Sequence, residues 1–220
     1  MPETIIRHAS KTAMTLMAFA IVFTSLMAYV YQVTKQPIEL SEAAARMSLF
    51  RQIMPAHMHD NDLLKDTIAL PPDPLLGTTQ TTLANIARIQ NQPSAVILEA
   101  IAHDGYSGDI KLLLAIDAKG TISGVRVISH KETPGLGDYI DIARNNWIKL
   151  FDGQSLNNST ESDWRVKKDG GKFDYMVGAT ITPRAVVSAT HKALLYVDQH
   201  KQTLFSVQTS QEDNAQQENK

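Results

Sequence analysis

From Thr12 to Thr34 the chain has no charged side chain, and that run constrains its architecture more than any other feature. It carries Leu16, Met17, Phe19, Ile21, Val22, Phe23, Leu26, Met27, Val30 and Val33. As a helix rising about 1.5 Å per residue it spans roughly 34 Å, enough for a hydrocarbon core of about 30 Å. Tyr29 and Tyr31 sit near its far end, where aromatic rings favour the membrane interface. Arg7 and Lys11 precede it, so the positive-inside rule puts a short N-terminus in the cytoplasm and the rest across the membrane. A cleaved signal peptide is the competing reading, but the run exceeds an ordinary h-region and no convincing small-x-small site follows.

The 220 residues allow one domain of ordinary size beyond that helix. The chain has no cysteine, which excludes thiolate-ligated iron–sulfur clusters, c-type haem attachment and thiol redox chemistry. Any electron transfer therefore needs an organic cofactor. A net charge of −2 without a basic block argues against a nucleic-acid partner. His57 and His59 read as loop residues rather than metal ligands, and no metal is expected.

Beyond Pro37 the pattern predicts a stalk helix over Leu40–Met54, capped by Ser41 and ended by Pro55. Residues 55–79 read as irregular, broken by Pro71, Pro72, Pro74 and Gly77. Strands are expected at Leu83–Ile89, Ala95–Ile101, Ile110–Ile116 and Ile122–Ile128, with turns at Asp104-Gly105 and Ala118-Lys119-Gly120. A helix is predicted over Tyr139–Phe151, then short strands at Trp164–Val166 and Phe173–Val177. Trp147 and Trp164 read as core residues. Thr182 is expected to cap a last helix with Pro183 in its first turn and Ala185, Val186, Ala189, Ala193, Leu194 and Val197 as its apolar stripe. The fold class is α+β: an antiparallel sheet with packed helices, on one N-terminal transmembrane helix. The expected division is 1–11 cytoplasmic, 12–34 transmembrane, 35–80 stalk and linker, 81–206 extracytoplasmic domain, and 207–220 a disordered polar tail.

Three segments carry candidate chemistry. In Asp174-Tyr175-Met176-Val177-Gly178-Ala179-Thr180-Ile181-Thr182, two small residues precede a threonine at the mouth of a helix. Helix N-termini present unpaired N–H groups that suit a phosphate. The loop Glu132-Thr133-Pro134-Gly135-Leu136-Gly137 can offer backbone groups to a planar ligand, and Tyr106 beside Ser107 can stack on one. Each segment alone is also what an ordinary turn looks like.

Together, in this order and spacing behind one anchor, the three segments resemble RnfG, the FMN-binding G subunit of the Rnf ion-translocating electron-transport complex. Its counterpart in enteric bacteria, RsxG, belongs to a system that reduces the redox sensor SoxR. The C subunit of the sodium-pumping NADH:quinone reductase is a more distant relative. The resemblance implies an FMN phosphoester on Thr180, installed from FAD by a flavin transferase that reads Asp174 and Gly178-Ala179-Thr180. It implies that Glu132–Gly137 lies along the isoalloxazine, with Tyr106, Ser107 and Thr182 near the cofactor. The expected protein is a flavoprotein subunit of the bacterial inner membrane, its main domain periplasmic, passing electrons among the other membrane subunits of its complex and not turning over alone. Val177 stands where many relatives have Ser or Thr and is left out of the site. The alternative is the same domain without flavin, serving as an assembly subunit.

Overall fold

The computed structural model describes residues 2–206, and the chain divides into two compact units between Arg46 and Met47. The polar tail expected from residue 207 lies outside the described residues.

In the first unit the residues belong to helix α1, whose bounds are Pro2–Ile53. Its apolar side chains, Phe19, Val22, Phe23 and Leu26 among them, are exposed. By length and composition the helix can cross a membrane. Pro37 lies inside it, so the separate helix expected from Leu40 with a Ser41 cap is corrected to one continuous helix. A proline removes one backbone bond, and flanking helix formers such as Ala43, Ala44 and Ala45 carry the helix past that loss.

The second unit is built on five antiparallel strands in the order β1-β2-β3-β4-β5. They are β1 (Thr67–Leu70), β2 (Thr82–Ile89), β3 (Gln92–Gly105), β4 (Gly108–Asp117) and β5 (Ile122–Ser129). Strand β1 falls within the stretch expected to be irregular: Ile68 opposite Ala84 and Leu70 opposite Thr82 zip it onto the edge of β2. Side-chain alternation divides the sheet between two cores. Val96, Leu98, Ala100, Leu112, Leu114 and Ile116 face one, where helix α2 (Ile181–Gln199) packs with Val186, Ala193, Leu194 and Val197. Ala87, Ala95, Ile97, Leu113 and Ala115 face the other, where Phe50, Ile53, Met54 and Leu63 cover them.

Between β5 and α2 the chain departs from the sequence reading. The helix expected over Tyr139–Phe151 is two 3-10 turns, Gly137–Ile140 and Asn146–Phe151. Short polar side chains capture the backbone instead: Asp138 accepts from Gly135 N–H, Asp141 from Ala143 N–H, and Asn145 from Trp147 N–H. Such local bonds compete with the helical ladder. The strands expected at Trp164–Val166 and Phe173–Val177 reduce to isolated bridges, Val166 to Phe173 across a tight turn at Gly170 and Gly171, and Met176 to Ala179. Trp147 and Trp164 are buried, joined through the ring contacts of Phe151 and Phe173. A short helix α3 (Lys201–Leu204) follows α2.

Candidate functional site

Helix α2 begins two residues earlier than its sequence suggests. Its N-cap is Thr180, not Thr182, because Ile181 already has helical conformation. The Thr180 side chain makes no capping hydrogen bond. Thr182 is 2% exposed, and its hydroxyl donates to Glu132 Oε2. Two hydroxyls of one motif thus differ sharply: one stands at the helix mouth, the other is buried and engaged.

The approach to Thr180 is a tight turn, with Ala179 N–H donating to Met176 O at 3.1 Å. Gly178 has φ +91, a left-handed conformation that favours glycine, and a Cβ there would meet nothing within 4 Å. Two buried aromatic residues hold this turn. The Tyr139 hydroxyl accepts from Met176 N–H at 3.3 Å and donates to Ala179 O at 3.5 Å. The Trp147 indole N–H donates to Asp174 O at 2.7 Å. Burial pushes the Tyr139 phenol up to about 12, so its proton stays in place at neutral pH.

Glu132 crosses the site from the opposite side. It is 4% exposed, and Oε1 accepts from Ser107 N–H at 2.9 Å while Oε2 takes the Thr182 bond. Gly137 makes room for it: a Cβ at that position would lie 2.8 Å from Glu132 Oε2 and 3.0 Å from Thr182 Oγ1. The carboxylate therefore links the β3–β4 turn, the loop after β5 and the first turn of α2.

These elements enclose a cavity of about 380 Å³, inside the range of ligand pockets, roughly 300–1,000 Å³. Of the residues singled out in the sequence, Tyr106, Glu132, Thr133, Leu136, Gly137, Gly178, Ala179, Thr180 and Thr182 line it. Pro134 and Gly135 line a neighbouring cavity of about 320 Å³ with Asp138, Tyr139 and Arg144. Ser107 contributes its backbone N–H to Glu132 and does not line the cavity. Asp174 lies outside it, exposed and paired with Lys167 at 2.5 Å. Ile181 is the lining residue sequence reasoning missed, since it stands between two threonines that drew attention first. Tyr139 and Asp138 were also missed as supports. Val177 is 86% exposed and lines neither cavity.

The lining fits a bulky flat ligand with an anionic end. Tyr106, Leu136 and Ile181 give exposed apolar surface, Gly178 leaves its approach open, and α2 directs its positive dipole end toward Thr180.

Comparison with known proteins agrees with this geometry in kind. The FMN-binding domain family matches residues 105–195, and the family described as the RnfG N-terminal region matches residues 1–53. A Vibrio cholerae (strain M66-2) protein described as the G subunit of an ion-translocating oxidoreductase complex is 46% identical over 196 residues, covering 89% of this chain and 93% of its own. Proteins of the same description from Shewanella loihica and Pseudomonas aeruginosa (strain UCBPP-PA14) are each 44% identical over 200 residues, covering 91% of this chain and 94% of their own. Among solved structures, that of Shewanella oneidensis NqrC aligns with a TM-score of 0.45 at 22% identity, covering 66% of this chain and 74% of that one.

Proposed function

The chain belongs to the family of G subunits of ion-translocating oxidoreductase complexes and carries an FMN-binding domain, and from that premise we propose that it is an electron-carrying subunit whose FMN is esterified through its phosphate to Thr180. The observation that carries the reading is the uncapped Thr180 hydroxyl at the mouth of α2, facing a cavity of about 380 Å³. FMN supplies the one- and two-electron chemistry; the chain supplies attachment, orientation and field.

Attachment would proceed from FAD on a flavin transferase. Thr180 Oγ1 attacks the FMN-side phosphorus, the P–O–P bond breaks, AMP leaves, and the hydroxyl proton passes to a base of the transferase. The phosphodiester charge would then lie at the positive end of α2, a placement worth about 0.3–1 kcal/mol. Exposed Asp174, six residues before Thr180, is available to such an enzyme. Thr182 would be refused because its hydroxyl is buried and already donates to Glu132. Covalency also suits an extracytoplasmic site: a non-covalent site of about 1 μM gains only about 8 kcal/mol and would empty where free FMN is scarce.

The same reading puts Arg7 and Lys11 on the cytoplasmic side of a bacterial inner membrane and residues 47–206 on the periplasmic side. The uncharged run 12–34 offers no ion path, so ion movement would belong to the other membrane subunits. The same carrier would serve a complex that reduces a sensor such as SoxR, since partners decide where electrons go.

The test is to co-express the full chain with a flavin transferase, denature it in detergent, and follow flavin fluorescence on the separated polypeptide. Thr180→Ala abolishes the signal and Thr182→Ala retains it. Flavin persisting on the Thr180 variant rejects the acceptor. An unmodified peptide in protein matured in its native host rejects the carrier role and leaves an assembly subunit.

A further inference from the structure

Among the described residues lining the cavity, Glu132 is the only carboxylate, and no cationic side chain accompanies it. A buried carboxylate facing a ligand cavity without a neutralising partner is costly, so its persistence calls for a reason. Both oxygens are occupied, Oε1 by Ser107 N–H and Oε2 by the Thr182 hydroxyl, which fixes the group without cancelling its charge. Its own N–H donates to His130 Nδ1 at 3.1 Å. The backbones of Gly105 and Gly137 close against it: added Cβ atoms would come within 3.0 Å of Oε1 and 2.8 Å of Oε2. The carboxylate is therefore flanked by backbone on two sides and held by its two bonds.

We propose that Glu132 is a fixed negative charge that holds the midpoint potential of the bound flavin down, and that its bonds to Ser107 and Thr182 keep the Tyr106 turn and the Thr180 helix mouth at a set separation. The proposal rests on the reading that this cavity holds FMN. Reduction adds electrons to the ring system, and a fixed anion nearby opposes that addition. The two bonds make the charge a positioned one. The three elements it joins carry Tyr106, Leu136 and Thr180, so displacing it would also alter how the cavity receives its ligand.

The experiment uses the full chain in detergent, flavin-loaded by co-expression with the transferase and titrated anaerobically in a spectroelectrochemical cell, with intact mass recording incorporation. Glu132→Gln keeps shape and loses charge. Its midpoint potential is expected to rise by at least about 30 mV, a tenfold change in a two-electron equilibrium. Glu132→Asp keeps the charge and is expected to stay within that margin of the parent. A flavin-loaded Glu132→Gln protein with the parent's potential overturns the proposal, and so does a Glu132→Asp protein that shifts as far as Glu132→Gln. Should circular dichroism show that Glu132→Gln does not fold, Glu132→Met combined with Thr182→Val replaces both ends of the Glu132–Thr182 bond by apolar groups. That variant is read the same way, an unshifted potential overturning the proposal. Absence of flavin from Thr180 in the parent protein defeats the underlying reading instead, so the two failures are distinguishable.

Discussion

Thr180 and Thr182 carry the same side chain, and what distinguishes them lies fifty residues away in Glu132. The contact depends on Gly137, which lets the backbone approach both partners. Gly137→Ala is expected to destabilise the domain by about 1–3 kcal/mol through overpacking and to reduce flavin incorporation, as thermal melting and intact mass would show. A second residue-scale device is His103. Its Nδ1–H donates to Asp109 at 2.9 Å and its Nε2–H to the Gly77 carbonyl at 2.8 Å. Both partners accept, so the pair of bonds needs the doubly protonated ring. The Asp109 bond, the Gly77 bond and the charge of Asp104 raise His103 above its ordinary value of 6.5. A raised folded value means the stabilisation is complete below about 6.5 and fades as pH rises through the folded value. The Asp73–Thr78 loop, tied to β3 by Ile101 N–H to Leu76 O, is expected to loosen over that window. Hydrogen exchange at Ile101, corrected for base catalysis, should quicken more steeply with pH in the parent than in His103→Gln.

Among elements, the last turn of α1 shows how a helix end becomes part of a sheet's core. Phe50 and Ile53 lie on Ala95, Ile97, Leu113 and Ala115, while Arg126 from β5 donates to the Gln52 carbonyl at 2.7 Å. Gly124 permits the approach: a Cβ there would sit 2.7 Å from Ile53 Cα. Gly124→Ala is expected to lower the melting temperature by several degrees, because backbone rather than a flexible side chain must give way. Strands β2 to β5 were legible because their β-branched runs are local and bounded by turn residues such as Lys119-Gly120. Other elements were not. Strand β1 is four residues long and exists by pairing with β2, a contact no local pattern encodes. The segment 139–151 has helical apolar spacing, yet Asp138, Asp141 and Asn145 divert its backbone. Pro37 suggested a break, but α1 keeps its ladder on both sides. The site was legible as motifs, whereas its support by Tyr139 and Trp147 required the fold.

At the scale of the whole molecule, the boundary of the folded domain lies well before residue 81, where the strand pattern alone begins it. Residues 47–64 supply Phe50, Ile53, Met54 and Leu63, which close the face of the sheet opposite α2. Burying such side chains is worth about 1.5–3 kcal/mol each, so these four represent about 6–12 kcal/mol. A domain's entire stability is roughly 5–15 kcal/mol. A fragment beginning at Thr81 would also lose β1 and the bond from Asn85 to Leu63 O at 2.7 Å, leaving β2 as an uncovered edge. The face carrying Thr180 is the other one, so a chain without residues 47–80 keeps every lining residue of the cavity and still lacks the side chains that cover the second core. A fragment of residues 47–206 is expected to unfold in one cooperative transition and to accept flavin from the transferase. A fragment of residues 81–206 is expected to aggregate or melt without a transition and to remain unmodified. Scanning calorimetry with intact mass on the two fragments decides it. Equal melting temperatures and equal flavin loading would mean that the second core is dispensable and that the α2 face alone holds the site.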